Sequence, residues 1–181
     1  MTVILDYIGA VVVGGLLLLS ILGFQATTTE AAATHNLTSI AQSNLSSMTE
    51  IVDYDFRKIG YRVADTMKVV SINASGIAFR GDFDDNGSID TLSYFTNFGF
   101  TKTTAERVKL YRKLNSQPQS MLSSEVSKFV ISAYDASGAP TTSGSRVRSI
   151  KIALAIKSSQ AIGDQYPSAY WERIIKPNNL R

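Results

Sequence analysis

Residues 8–24 read I-G-A-V-V-V-G-G-L-L-L-L-S-I-L-G-F, from Ile8 to Phe24, without one charged side chain. Residues 1–5 (M-T-V-I-L) extend this apolar stretch, which is broken only by the acid Asp6 and by Tyr7. A helix of about 20 mostly apolar residues is long enough to cross a bilayer. Working outward, residues 25–36 (Q-A-T-T-T-E-A-A-A-T-H-N) are small and polar, with no Pro or Gly to stop a helix. From Leu37 onward the apolar positions are Leu37, Ile40, Ala41, Leu45, Met48, Ile51, Val52, Phe56 and Ile59. Spacings of three and four put them on one face of an α-helix. Gly60 suits the position just past its end. A single helix over residues 2–59 would be about 85 Å long at 1.5 Å per residue. A domain of this size is narrower than that, so half of the rod must project.

The remainder reads as strands. Residues 67–73 alternate weakly, and 76–83 (G-I-A-F-R-G-D-F) and 88–95 (S-I-D-T-L-S-Y-F) flank Asp84-Asp85-Asn86-Gly87. Asn-Gly between alternating runs signals a hairpin, because both residues accept positive φ. Residues 107–114 (R-V-K-L-Y-R-K-L) alternate charge and hydrophobe, as a strand with one wet face does. Strands are also expected at 128–134 and at 148–157 (R-S-I-K-I-A-L-A-I-K). The stretch 135–145 reads as a loop, rich in Ser, Gly and Thr around Pro140. One long helix followed by antiparallel strands is an α+β pattern. It divides into an apolar helix (1–24), the amphipathic half of that helix (25–60) and a β head (61–181).

Composition narrows the function. The 181 residues contain no Cys and a single His, His35, with a net charge of +3. Disulfides and thiolate metal sites are thereby excluded, and a His-based site lacks ligands. There is no nucleophile elbow or phosphate loop, so an enzyme is not expected. The basic residues Lys102, Arg107, Lys109, Arg112 and Lys113 read as the solvated face of a strand rather than a nucleic-acid surface. Tyr111, Tyr134, Tyr170 and Trp171 read as core or subunit contacts. Asp82, Asp84, Asn86, Ser88 and Asp90 have the odd-position spacing of a calcium loop with Gly87 at its turn, although Ser93 stands where such a loop has a Glu. The bland alternative is an acidic hairpin tip. Gly9, Gly14, Gly15 and Gly23 permit close helix approach. Each also costs about 1 kcal/mol of helix propensity relative to Ala, making Gly14-Gly15 the weak point of the rod.

The order of these elements resembles the type IV pilins and the pseudopilins of type II secretion. Residues 50–63 (E-I-V-D-Y-D-F-R-K-I-G-Y-R-V) are similar to the helix end of large-headed minor members. Residues 77–94, with their F-R-G-D-F-D-D-N-G-S-I-D-T-L-S-Y, resemble the hairpin that follows, and 174–181 (I-I-K-P-N-N-L-R) their ending. The resemblance implies an extracellular filament on a prokaryotic cell, with copies of the chain bundled through Gly9, Gly14, Gly15, Leu16, Leu17, Leu18, Leu19 and Phe24. It implies a precursor held in the inner membrane and a pilus or secretion machinery as partner. It further implies that the Met1 amine pairs with Asp6 to set register, the alternative being that Asp6 lies at the membrane surface, where a negative charge suits the helix N-terminus, and that the helix loosens near 14–20 in the filament. The family has a glutamate at the fifth mature position, where Leu5 stands here, and a basic leader; the chain is read as already processed or as maturing differently. Within the same class a type II secretion pseudopilin fits, and outside it a membrane-anchored monomeric binding protein.

Overall fold

The computed structural model describes residues 2–64, 67–73, 76–96 and 108–180. The chain opens with one uninterrupted helix, α1 (Thr2–Arg57), 56 residues long. It therefore spans about 84 Å. The polar segment contains no Pro or Gly to break the helix, and its hydroxyls bond back onto the helix itself. Thr28 donates to Phe24 O at 2.8 Å, Thr29 to Gln25 O at 2.9 Å and Thr34 to Glu30 O at 2.9 Å. These contacts satisfy the hydroxyls at a slight cost to the helix, which the unbroken chain of backbone bonds outweighs. Gly60, at φ +74°, carries the chain out of the helix and donates its N–H to Arg80 O at 2.7 Å.

Among the described residues the head is one antiparallel sheet of seven strands in sequence order. They are β1 (Val69–Asn73), β2 (Gly76–Gly81), β3 (Asp90–Thr96), β4 (Val108–Leu114), β5 (Ser120–Tyr134), β6 (Ser149–Lys157) and β7 (Ser168–Ile175). The α+β arrangement expected from the sequence is the one observed. Ala41, Leu45, Met48, Val52, Phe56 and Ile59 form the buried stripe of α1. It meets Phe79, Leu92, Tyr94, Leu110, Phe129, Ile152 and Leu154 from the sheet. Phe56 sits edge-on to Phe79 at 4.9 Å between ring centres. A slip in register between Val126 and Lys128 lets Val126 as well as Phe129 and Ile131 face the helix. A bulge of this kind resets the two-residue alternation.

Several expectations change. Ile40 and Ile51, read as core, are exposed. The wheel centres instead on Ala41, Leu45, Met48 and Val52, and both isoleucines fall at its edges. Strand β5 begins at Ser120, eight residues before the expected start at Lys128. β7 was not anticipated as a strand at all. The Asn86-Gly87 hairpin is not a tight two-residue turn. The chain loops through eight residues between Gly81 and Asp90, and positive φ falls on Asp85 and Gly87 rather than on Asn86.

Candidate functional site

Two features stand out from the packed head. The first is the free half of α1. Its large apolar side chains, among them Val11, Leu16, Leu17, Leu18, Leu19 and Phe24, are all more than half exposed, Phe24 at 72%. The helix contains a window of mean hydropathy 2.3, none of it buried, so it is long and apolar enough to cross a membrane. Soluble monomers rarely expose apolar patches beyond a few hundred Å². A Cβ placed on Gly9, Gly14, Gly15 or Gly23 would meet nothing within 4 Å. The packing of a single copy therefore requires none of the four glycines. Helix α1 runs unbroken through residues 14–20 in the single chain. Asp6 is exposed on the same rod; its expected partner Met1 lies outside the described residues.

The second feature is the loop between β2 and β3. Asp82 and Asp90 are buried, while Asp84 is exposed at the rim. One carboxylate oxygen from each lies within 4.8 Å of the others. Asp82 Oδ2 accepts from the Gly87 N–H at 3.0 Å and from Arg62 Nη1 at 2.7 Å. Burial works against the Asp82 charge, but Arg62 and the loop N–H groups outweigh it and hold the carboxyl below its ordinary range. Asp90 Oδ2 accepts from the Phe83 N–H at 3.2 Å and its Oδ1 from Asn115 Nδ2 at 2.6 Å. Asn86 and Ser88 sit outside the buried part. Asn86 Nδ2 donates to Asp84 Oδ2 at 2.7 Å, and Asn86 Oδ1 accepts from the Ser88 N–H at 2.7 Å. The fold thus gathers three of the five residues expected to form a calcium loop and uses the other two to shape its rim. Residues 84–89 form an exposed tip, while the flanking carboxylates of Asp82 and Asp90 lie inside the protein.

Sequence reading missed a third cluster. Asp55, on the buried side of α1, accepts from Tyr94 Oη, from Arg112 Nε at 2.7 Å and from Arg112 Nη2 at 3.1 Å. Tyr94 and Arg112 are direct cross-strand partners on β3 and β4, so register delivers both to one carboxylate. Burial, then Asp55, raises the Tyr94 hydroxyl well above its ordinary value, and the bond to Asp55 raises Arg112. Arg112 is accordingly turned to the helix rather than to a solvated face. Lys109 and Lys113 share its strand; Lys102 and Arg107 lie outside the described residues. Among the aromatics, Trp171 packs against the core, Tyr111 stacks on Phe95 at 5.6 Å, and Tyr170 is exposed beneath Lys128 at 5.2 Å. Tyr134 is half-buried and His35 is exposed on the helix. Comparison with known proteins finds no family model and no curated protein that matches the chain.

Proposed function

We propose that this chain is the structural subunit of a type IV pilus-like filament on a prokaryotic cell surface. In this reading it polymerises through residues 1–24 after a stay in the inner membrane, and its role is mechanical rather than catalytic. The observation that carries it is the division of labour along α1. The second half holds the chain's own sheet, whereas the described large apolar side chains of the first half are exposed within one copy. A plain anchor needs only the apolar segment, not a continuous rod that also serves as the spine of the head.

The glycines support the same reading. Four of them in the free half weaken the helix by about 1 kcal/mol each relative to Ala. Close approach of neighbouring rods is the compensation that small residues offer in apolar surroundings. Ser20 donates to Leu16 O at 3.0 Å, so its hydroxyl can enter such a bundle already satisfied. Asp6 in that bundle requires a partner, because a lone carboxylate among apolar side chains is severely penalised. The Met1 amine of the same or a neighbouring copy is the group proposed, and a type II secretion pseudopilus is the variant assembly.

Electron microscopy of material sheared from expressing cells tests the proposal. Thin regular filaments containing this chain by mass spectrometry are expected. They should vanish in a Leu17→Arg variant that still reaches the membrane with a folded head. A chain that stays in the membrane fraction, with no filament formed, would favour the anchored monomer.

A further inference from the structure

We infer that the loop between β2 and β3 is a calcium site, formed by Asp82, Asp84 and Asp90, that locks the head onto the end of α1. The inference stands independently of filament assembly. Its first support is the group of three carboxylates, with ligand oxygens no more than 4.8 Å apart. Calcium binds oxygen at about 2.3–2.6 Å, so oxygens on opposite sides of one ion lie about 4.6–5.2 Å apart. The observed spacing fits inside that span. The donor set is all oxygen, which selects a hard cation over zinc or copper.

The second support is a single atom. Asp82 Oδ1 is buried and accepts no hydrogen bond from any described residue, while its sister oxygen is fully engaged by Arg62 and Gly87. The Asp82 side chain is 0% exposed. An orphaned anionic oxygen in the interior is strongly unfavourable. Two further carboxylates beside it worsen the balance rather than relieving it. Arg62 pairs with Asp82 through Oδ2, not through the orphaned Oδ1, and Lys58 is committed to Asp85 at 2.7 Å. A divalent ion against Oδ1 satisfies the orphan and neutralises its neighbours together.

The position of the loop gives the ion its consequence. The Asp82 N–H donates to Tyr61 O at 3.1 Å, and Lys58 Nζ donates to Phe83 O at 3.2 Å. Both contacts tie the loop to the turn that leaves α1. An ion that fixes Asp82, Asp84 and Asp90 therefore fixes the joint between rod and head.

The test is calcium chloride titrated into the chelator-treated full chain in detergent micelles, followed by calorimetry and by the melting temperature of the head. One saturable site and a rise in melting temperature are expected. Asp84→Asn, on the exposed rim, removes one of the crowded charges, so it should hold or raise the calcium-free melting temperature and abolish both effects. Asp164→Asn, an exposed acid elsewhere, should retain both. Asp82→Asn tests the buried ligand where it folds; Asp84→Asn keeps the test decisive where it does not. No saturable binding by the parent chain would overturn the inference. So would binding that survives Asp84→Asn, and magnesium binding as tightly as calcium would overturn the choice of ion.

Discussion

Replacing Asp55 with Ala removes the acceptor that joins α1 to β3 and β4. The carboxylate side chain is 2% exposed and its Arg112 partner 25% exposed. Breaking a buried ion pair by removing one member costs about 3–5 kcal/mol, because the other charge is left without its partner. Solvent reaches part of Arg112, which places the expected loss near the lower end, about 3 kcal/mol. For a chain of this size each kcal/mol moves the melting temperature by about 2–4 °C, so a fall of about 6–12 °C is expected. Thermal melts followed by near-ultraviolet circular dichroism on the full chain in micelles would read it. The double variant Asp55→Ala/Arg112→Met removes both charges together. It should be more stable than the sum of the single variants implies, by about 0.5–3 kcal/mol. A loss under about 1 kcal/mol for Asp55→Ala, or strict additivity, would refute the claim that the network clamps helix to sheet.

Other outcomes follow from local geometry. A Cβ on Gly144 would stand 1.9 Å from Val69 O, a backbone atom that cannot swing aside. Gly144→Ala should cost about 3 kcal/mol by urea unfolding, the upper end for forced overpacking. Gly138→Ala, at φ +83° with open space around it, should cost only the left-handed penalty of about 1–2 kcal/mol. The Ser137 hydroxyl and N–H and the Ala139 N–H all donate to Asp135 Oδ1, holding its carboxyl below the ordinary carboxylate range. A depressed folded value means the contribution is complete above the unfolded value and is lost as pH falls through the folded one. The difference in melting temperature between the parent and Asp135→Ala should therefore be constant from pH 7 to about 5 and shrink below about 4.

The long helix was legible because both of its halves carry plain signals, one apolar without relief and one apolar at spacings of three and four. Strand β6 was equally plain, since Ile150, Ile152, Leu154 and Ile156 all face the core. β7 was hidden because its two faces do not sort by polarity. Tyr170 and Ile174 point outward, whereas Arg173 sits on the helix side, with Nη1 3.1 Å from Asp53 Oδ1. The first half of β5 was hidden by its serines and by the bulge near Val126, which breaks the alternation. Asp55 gave no local sign of burial. Only its place three residues after Val52 and beside Phe56, within the apolar stripe, pointed inward. The matching arginine lies 57 residues away, brought close by a strand register that no local pattern records. The acidic loop was legible as spacing but not as burial, since Asp82 and Asp90 look no different in sequence from rim acids.

The central claim is that copies of this chain meet through the free half of α1. Site-specific photo-crosslinking in intact expressing cells tests it most directly, with the crosslinker replacing Leu17 on the rod and, as a control, Ser132 on the head. Leu17 is predicted to yield a ladder of species built from this chain alone, and Ser132 is not. Crosslinks from Leu17 only to lipid or to an unrelated protein, with no homo-oligomer, would contradict the account.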